Sequence, residues 1–541
     1  MIRTTLLLTY VVVLILYARR DWFVSLCGAI LLMAVVQHPD MPRNVGGIQG
    51  FNPWNAVMLS VLVSWLWQRK KRGLVWDAPR SVVWTLSLYG AVVIVAFGRM
   101  IFDPTNLDHR TTAYLVSEYL VNCIKWVLPG VILYDTCRTR RQITVGLVTV
   151  LGLYLLLAIQ VIRWMPLEYA MAGDSLSYRA SKIIQNEIGY NRVNMSTLLA
   201  GGSWAFVAAT LLFKRWPAKA LLLGGALTVA FGQALTAGRT GYAVWALVGL
   251  TFGFFKWRRL LVLMPVAAIL VLTILPGVSE RLFKGFADRQ GAMEVEADET
   301  QITSGRNRIW PFVLARIGEA PLIGYGRLAM NRLGLDQFLK EELGEDFAHP
   351  HNAYLEVLLD SGIVGLCLVM PFYAIVLWRS IVLFTNRSDS TSAAVGGVSL
   401  ALVVALMSAG AGSQTFYPRE GAVGMWAAIG LLLRVATDKE SARVRTGLAH
   451  KATHLDRLRQ LRPLSSTTRE FGSAPRSSSY SLRASHQPAT ARPSDVRITV
   501  TAPQRPKWRA SITSKEARAR LGLRQSSSSP GPTKHPTARI R

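Results

Sequence analysis

The chain has few cysteines and few charged residues for its size. Its 541 residues include only four Cys, and none are spaced as a metal-ligand pair or as a disulfide framework. A disulfide-rich secreted scaffold is therefore excluded. Charged residues make up 17% of the chain, against about 25% in ordinary soluble domains. With 51% apolar residues, the composition fits neither a soluble globule nor a disordered chain.

Long apolar runs account for this composition. Runs of about 15 to 25 residues recur as far as position 436, and a helix needs about 20 residues to cross the hydrocarbon of a bilayer. We therefore predict an all-α, polytopic integral membrane protein with about 12–13 transmembrane helices. Arg19 and Arg20 follow the first run where a signal peptide would offer small residues, so we expect that run to be retained. The predicted spans are 4–18, 22–36, 54–68, 81–98, 113–134, 142–164, 194–213, 218–237, 241–255, 260–278, 352–378, 393–411 and 421–436.

Short basic clusters fall between alternate pairs of predicted spans. The positive-inside rule places such clusters in the cytoplasm, so the remaining connections face the outer side of the membrane. The segment 279–351 is then the largest outer loop, with the C-terminus inside and the N-terminus outside. The clusters are Arg19–Arg20, Arg69–Arg72, Arg138–Arg141, Lys214–Arg215, Lys256–Arg259, and Arg379 with Arg387.

The composition changes after the last predicted span. Residues 437–541 are rich in Ser, Arg, Pro and Thr, and they hold 22 Lys or Arg against six Asp or Glu, a net charge of +16. Such a segment cannot bury a core, so we expect a disordered cytoplasmic tail. More than half of the chain's net charge of +29 lies there. Attraction to anionic phospholipid of the inner leaflet explains that charge without a nucleic-acid partner.

A polar loop meets an apolar span within residues 349–365. Pro350 suits the first turn of a helix, whose N-terminus attracts phosphate and keeps a nearby imidazole neutral. The neutral imidazole of His351 could then accept a proton. In the simpler interpretation, His351 or Asn352 only caps the helix, and the glycines at the end of the stretch only let neighbouring helices pack closely.

A metal site is a further alternative for this stretch. His349 and His351, two residues apart, with Asp346 nearby, allow a zinc-like site. A third firm ligand and the outer hydrogen-bond partners that such sites need are not evident in the sequence. We therefore predict neither a metal nor another cofactor.

His351-Asn352, then nine residues, then Gly362-x-x-Gly365 resembles the signature of the O-antigen ligase and polymerase family. The resemblance covers about residues 190–435. It implies a polytopic glycosyltransferase that moves a glycan from undecaprenyl diphosphate to an acceptor on the outer face of the bacterial plasma membrane. We accordingly divide the chain into a transmembrane domain, 1–436, and the tail, 437–541.

Arg239 places a lone guanidinium at an outer turn, where the positive-inside rule disfavours it. The planar fork of a guanidinium matches diphosphate oxygens better than a lysine ammonium does. Binding to phospholipid head groups is the alternative. The family resemblance implies a functional arginine at this kind of span end, and so favours binding of the donor diphosphate.

A second candidate arginine lies in the outer loop, where Ser304 can cap a helix with apolar residues at helical spacing. The resemblance implies an arginine before Trp310, followed by the Pro-x-x-Gly-x-Gly sequence at 321–326. It favours Arg306 over Arg308. The alternative is a helix that lies along the membrane and whose arginines bind phospholipid.

Acidic side chains in the predicted spans are further candidates. Glu118 and Lys125 lie seven residues apart on one predicted helix face, where they could form an ion pair or face a polar cavity. Glu356 and Asp360 follow Asn352 at intervals of four, which gives the start of that helix an acidic face. We expect Glu356 to orient His351 or an acceptor hydroxyl.

These assignments predict one reaction. His351 would deprotonate an acceptor hydroxyl, while Arg239 and Arg306 bind the diphosphate and stabilise it as it leaves. The acceptor would be lipid A–core or a similar lipid or glycan, and a polysaccharide polymerase or a protein O-glycosylation ligase would use the same residues. A membrane transporter, from a different class, would show paired repeats and helices broken at mid-membrane. The predicted substrate-binding residues are Arg308, Asn352, Glu356 and His349.

Overall fold

Helices form most of the described structure. The computed structural model describes residues 2–42, 51–107, 109–165, 168, 175–274, 276–283, 288–290, 293–295, 303, 305–344, 347–412 and 415–460. All of them belong to the unit Met1–Arg462. The disordered tail is predicted to begin at residue 437, but the last helix continues to Gln460, so that boundary is wrong and residues 437–460 are helical. The second unit, Pro463–Arg541, lies outside the described residues, so disorder there stays a prediction.

The helices are numbered here in chain order. The N-terminal part contains α1 (Ile2–Ala18), α2 (Trp22–Leu32), α3 (Pro53–Lys71), α4 (Arg80–Phe102), α5 (Thr112–Val116), α6 (Asn122–Lys125), α7 (Leu128–Thr136) and α8 (Arg140–Trp164). The middle part contains α9 (Ser175–Ile183), α10 (Arg192–Ala209), α11 (Trp216–Leu235), α12 (Arg239–Phe255), α13 (Leu260–Ile274) and α14 (Pro276–Phe283). The last part contains α15 (Arg306–Glu319), α16 (Ala329–Arg332), α17 (Leu335–Leu343), α18 (Ala353–Phe384), α19 (Ser390–Gly410) and α20 (Val423–Gln460). A short antiparallel hairpin pairs Asp288–Gln290 with Met293–Val295.

Eight helical stretches in the described residues are long and apolar enough to cross a membrane. A ninth is counted if α13 and α14, which meet at 108°, form one bent span. The prediction of an all-α polytopic membrane protein is thereby confirmed. The eight are Arg80–Phe102, Thr112–Thr136, Arg140–Trp164, Arg192–Leu212, Trp216–Leu235, Ala353–Phe384, Ser390–Gly410 and Glu420–Ala442.

The remaining predicted spans are helices that are short or less apolar. α1 has 17 residues, α2 has 11 and α12 has 17, against about 20 for a full crossing. α3 has 19 residues but ends in Arg69, Lys70 and Lys71. The described residues thus hold eight or nine helical stretches that are long and apolar enough to span a membrane, where 12–13 spans are predicted, because several of the predicted runs form helices of 17 residues or fewer.

α10, α19 and the start of α20 form the centre of the helix bundle. The buried share is 72% for Arg192–Leu212 and 78% for Ser390–Gly410, against 33% for α4. Small residues permit close packing of the central helices, since a Cβ at Gly201 would lie 2.8 Å from the Cβ of Ala405. These well-packed helices give rigid support to the loops at their ends.

Ion pairs join the predicted cytoplasmic clusters at one end of the bundle. Arg69 pairs with Asp135 at 2.8 Å, and Asp77 pairs with both Arg138 (2.7 Å) and Arg434 (2.8 Å). The basic clusters that alternate along the sequence therefore meet in space, as the predicted orientation requires. The same end holds the Arg379–Glu440 and Lys439–Asp389 ion pairs and the hydrogen bond from Lys256 Nζ to the Phe384 carbonyl.

The predicted outer loop has a small core of its own. α15 runs from Arg306 to Glu319, so the helix predicted there is confirmed, although Leu314, expected on its apolar face, is 52% exposed. The helix follows Gly305, which has a φ of 80°, and the predicted cap, Ser304, lies outside the described residues. The loop core includes Ile309, Val313, Leu339, Phe347 and Leu359.

The predicted orientation can be tested with two engineered cysteines at exposed positions. In a Cys367→Ser background, where the other cysteines are buried, Glu342→Cys should react with a membrane-impermeant maleimide on intact cells. Arg140→Cys should react only after the cells are lysed. Labelling is read as a mass shift on a gel. Reaction of Arg140→Cys with protection of Glu342→Cys on intact cells would reverse the orientation.

Candidate functional site

A side-chain cap sets the start of α18. Asn352 Oδ1 accepts hydrogen bonds from the amides of Tyr354 (2.9 Å) and Leu355 (3.2 Å), and the helix begins at Ala353. The structure thus places Asn352 as a helix cap. The prediction that Pro350 occupies the first turn is wrong, because capping at Asn352 leaves Pro350 outside the helix.

The loop before this cap holds His351 in an uncommon backbone conformation. Its φ of 52° lies in the left-handed region, which costs a non-glycine residue about 1–3 kcal/mol. The His351 amide donates to Nδ1 of His349 at 3.2 Å, and Trp310 Nε1 donates to the Pro350 carbonyl at 3.1 Å. The two imidazole rings lie 4.1 Å apart. Through Trp310, helix α15 therefore fixes the histidine loop.

Gly362 interrupts α18 with a φ of 64° and a ψ of −169°. The segment 321–326, which carries the Pro-x-x-Gly-x-Gly sequence, fills the break, and the Ile363 amide donates to the Pro321 carbonyl at 2.8 Å. A Cβ at Gly362 would lie 2.2 Å from the carbonyl oxygen of Leu322, so only glycine fits. Gly362 therefore accommodates a loop, whereas the simpler sequence interpretation had helices packing against it.

Arg327, which follows this segment, neutralises the acidic face of α18. Its Nη1 pairs with Glu356 Oε1 at 2.7 Å and with Asp360 Oδ2 at 2.9 Å. Its guanidinium lies 3.6 Å from the centroid of the Tyr417 ring, and its side chain is only 3% exposed. Burial lowers the pKa of Arg327, but Glu356 and Asp360 outweigh burial and hold that pKa well above its usual value. Arg327 therefore balances the charge of two buried carboxylates, a role that the sequence analysis did not identify.

A cavity of about 350 Å³ opens at the starts of α10, α12 and α18. The other ends of these three helices lead to the basic clusters, so the cavity lies at the opposite end of the bundle. The cavity brings together five of the predicted residues, Arg239, Arg306, His349, His351 and Glu356. The other lining residues are Asn191, Arg192, Val193, Asn194, Thr240, Arg281, Thr415 and Arg419.

The two histidines on the cavity wall are neutral at neutral pH. Burial lowers the pKa of His351 to about 3, with His349 and Arg306 acting in the same direction and Glu356 opposing them. Burial also lowers the pKa of His349. Because His349 Nδ1 accepts the His351 amide, the proton of neutral His349 lies on Nε2. The neutral imidazole expected at position 351 is therefore present, and burial is its main cause.

Three arginines from different helices are neighbours on the cavity wall: Arg192, Arg239 and Arg281. Arg239 is the first residue of α12, and its Nε donates to the carbonyl of Arg281 at 2.7 Å. Arg192 is the first residue of α10, and its Nη1 donates to the carbonyl of Ala237 at 2.8 Å. Backbone carbonyls of adjacent segments thus orient these guanidinium groups. A group of cations in a concave site attracts anions.

Arg306 lines the cavity, whereas Arg308 does not. Arg306 is half-buried, and it makes no hydrogen bond or ion pair with any described residue. Burial lowers the pKa of Arg306, although a guanidinium stays charged in proteins. Arg308 is exposed. The geometry therefore agrees with the preference for Arg306 as the residue that reaches the site.

Sequence reasoning missed three cavity arginines, Arg192, Arg281 and Arg419. Each lies within three residues of an outer boundary of a predicted span, as Arg239 does. The positive-inside rule disfavours an arginine at such a boundary, so the signal that singled out Arg239 applies to all of them.

Glu118 and Lys125 do not lie on one helix face, contrary to the prediction from the sequence. Glu118 lies in a π-helical turn, Ser117–Val121, and accepts a hydrogen bond from Asn122 Nδ2 at 2.6 Å. Lys125 Nζ lies 4.3 Å from the centroid of the Trp126 ring. These two described side chains form no ion pair with each other. The π-helical turn changes the angular spacing, so seven residues no longer separate positions on one face.

Asp346, the carboxylate of the predicted metal alternative, lies outside the described residues. Within the described ranges, no three His, Cys, Asp or Glu side chains are grouped so that they could hold a metal ion. The rings of His349 and His351 contact each other instead.

Comparison with known proteins agrees with this geometry. The family profile described as O-antigen ligase matches residues 224–370. The matched segment, about a quarter of the chain, is therefore similar to the O-antigen ligase family. A search of curated proteins found no significant match to the chain. Together with the membrane-spanning helices, the O-antigen ligase match supports a membrane glycan transferase of ligase or polymerase type.

Removing the buried cation of Arg327 should destabilise the protein. Arg327→Met leaves two buried carboxylates without their counter-charge, which costs about 3–5 kcal/mol. As a control, Arg316→Met breaks the Arg316–Glu319 pair, whose side chains are 46% and 54% exposed, and should cost about 0–1 kcal/mol. Denaturant unfolding of both purified variants in mixed micelles provides the comparison. Equal stabilities would show that Arg327 does not balance the charge of α18.

Proposed function

We propose that the protein transfers a glycan from undecaprenyl diphosphate to an acceptor hydroxyl at the outer face of the plasma membrane. The observation that carries the proposal is the single cavity that holds His351 together with Arg239 and Arg306. Such a transfer needs cations for the diphosphate and a neutral base for the hydroxyl. The cavity wall offers both, within a family of membrane glycan transferases.

Arg239 and Arg306 would hold the donor diphosphate. Five arginines line the cavity, and the lining carboxylate, Glu356, is already paired with Arg327. A diphosphate therefore meets a positive field in a partly desolvated site, where charge-assisted hydrogen bonds are strong. These contacts strengthen as negative charge accumulates on the departing phosphate, so they stabilise the transition state more than the bound donor.

His351 would act on the acceptor hydroxyl. The imidazole takes the hydroxyl proton as the acceptor oxygen attacks the anomeric carbon of the donor sugar. The bond from that carbon to the phosphate oxygen breaks, and undecaprenyl diphosphate leaves with the electron pair. Diphosphate is already an activated leaving group, so the proposal routes no step through a nucleotide or a metal.

Donor binding would also prepare the base. With a pKa of about 3 in the empty cavity, His351 is neutral but weakly basic. A bound diphosphate places negative charge near the imidazole and raises its pKa. His351 therefore becomes a stronger base once the donor is in place.

Glu356 would bind the acceptor rather than orient His351. Its carboxylate lines the cavity and is held by Arg327. No hydrogen bond joins the described side chains of Glu356 and His351. A carboxylate with a second acceptor oxygen can bind a sugar hydroxyl next to the one that reacts. The proposed acceptor is lipid A–core or a similar lipid or glycan.

Two substitutions should separate the proposed roles. His351→Ala should lower transfer about 10²- to 10⁴-fold while the donor still binds. Arg239→Lys should weaken donor binding and slow transfer, because lysine keeps the charge and loses the guanidinium fork. The measurement is single-turnover transfer from a defined undecaprenyl diphosphate glycan, alongside donor binding. His349→Ala should be milder, and Arg308→Ala, outside the cavity, is the matched control. Wild-type rates in His351→Ala would refute the general-base role.

The lowered pKa of His351 predicts a characteristic pH profile. A pKa of about 3 keeps the imidazole neutral well below pH 6.5, where an ordinary histidine is about half protonated. The ratio kcat/KM, which reports the free enzyme, should therefore be flat from about pH 8 to about pH 5. Because the diphosphate raises the pKa, kcat should fall at a higher pH than kcat/KM does. A kcat/KM that halves near pH 6.5 would contradict the proposed state of His351.

A further inference from the structure

An apolar groove leads away from the cavity between α4, the α6–α7 segment and α20. Its outer part has a volume of about 210 Å³, and a second pocket of about 50 Å³ continues it. From Ile94 in the outer pocket to Val82 in the inner one, α4 advances about 18 Å at 1.5 Å per residue. One leaflet of a bilayer has about 15 Å of hydrocarbon. The groove therefore has the length and character to hold one hydrocarbon chain. The two pockets share Leu86, Val127, Val131 and Trp426.

The groove and the cavity meet just before α20. Pro418 lines the groove, and the next residue, Arg419, lines the cavity. Arg419 is exposed and forms no ion pair with a described residue. A cation beside the open end of an apolar groove matches a lipid with an anionic headgroup, because the tail and the charge are bound by adjacent surfaces.

Trp426 in this groove has an unsatisfied polar atom. Its side chain is 2% exposed, and its indole Nε1–H has no hydrogen-bond partner among the described residues. The rings of Tyr89 and Phe372 stack on it, with centroids 6.2 Å and 5.4 Å away. A buried indole N–H normally finds an acceptor. The ester or amide carbonyl of an acyl lipid would supply one, whereas a polyprenyl chain contains no carbonyl.

Arg419 also lies apart from the group formed by Arg192, Arg239 and Arg281. Arg192 interacts electrostatically with Arg239 and Arg281, whereas Arg419, like Arg306, interacts with His349. The donor diphosphate is assigned to Arg239 and Arg306. Arg419 is then available to a second substrate that approaches the histidines from the groove.

We propose that the groove binds an acyl chain of an anionic acceptor lipid, with the lipid carbonyl on Trp426 and the charged headgroup on Arg419. This arrangement brings a hydroxyl of the headgroup into the cavity. The inference rests on the proposed function only where it names the lipid as the acceptor.

Two glycines of α4 allow a matched test. Gly90 lines the groove, and a Cβ there would have no described atom within 4 Å. Gly98 has the same open space but lines neither pocket of the groove. Gly90→Leu therefore adds a side chain that begins in open space inside the groove, and Gly98→Leu makes the same chemical change on the same helix elsewhere.

The experiment uses the full chain in phosphatidylcholine nanodiscs that contain phosphatidic acid with a diazirine in its acyl chain. After photolysis, mass spectrometry should locate the label on α4, α7 and α20 in the wild type and in Gly98→Leu. In Gly90→Leu this labelling should fall at least about tenfold, because the leucine side chain occupies the volume that the acyl chain would fill. Arg419→Gln and Trp426→Phe should each lower it about fivefold, the effect of one hydrogen bond.

Three results would overturn the proposal. Equal labelling of Gly90→Leu and wild type, or equal labelling by a phosphatidylcholine probe, would show only the lipid that surrounds any membrane protein. Displacement of the phosphatidic acid probe by unlabelled undecaprenyl diphosphate would assign the groove to the donor tail. The labelling needs neither donor glycan nor turnover, so its outcome is distinct from a failure of glycan transfer.

Discussion

The break in α18 at Gly362 is the constraint on which the candidate site depends. A helix interrupted inside a membrane protein leaves backbone groups that need partners, and the segment 321–326 provides them. The same segment delivers Arg327 to Glu356 and Asp360, which would otherwise be buried without a counter-charge. The outer loop therefore completes α18, and through α15 it also fixes the histidine loop at the start of that helix.

This arrangement also sets the charge of the cavity. Because Glu356 is engaged by Arg327, it does not neutralise the cavity arginines, and the site stays cationic. Burial and the neighbouring positive charges keep His351 neutral. An anion that enters this field is attracted by it and at the same time makes the imidazole more basic. In the proposed mechanism, phosphate binding and proton abstraction thus depend on one electrostatic environment.

Most of the fold could be predicted from the sequence, because a bilayer admits few backbone structures and the basic clusters limit how the helices are oriented. Sequence patterns predicted the backbone conformation less well where contacts with distant segments determine it. The positive φ of His351 depends on contacts with His349 and α15, and the π-helical turn after α5 separates Glu118 from Lys125. Which apolar runs cross the whole membrane also depends on helix length rather than on composition alone.

The arginines show why the site could be predicted only in part. Arg239 can be selected from the sequence because it contradicts the positive-inside rule, and Arg192, Arg281 and Arg419 carry the same signal at other span ends. Each is a weak signal alone, since one arginine can bind a phospholipid head group. The fold makes the signal strong by placing all four around one cavity. Of these four arginines, Arg419 is the one that follows a groove residue, Pro418, so in the proposed arrangement the two lipid-linked substrates reach the same histidines from different sides.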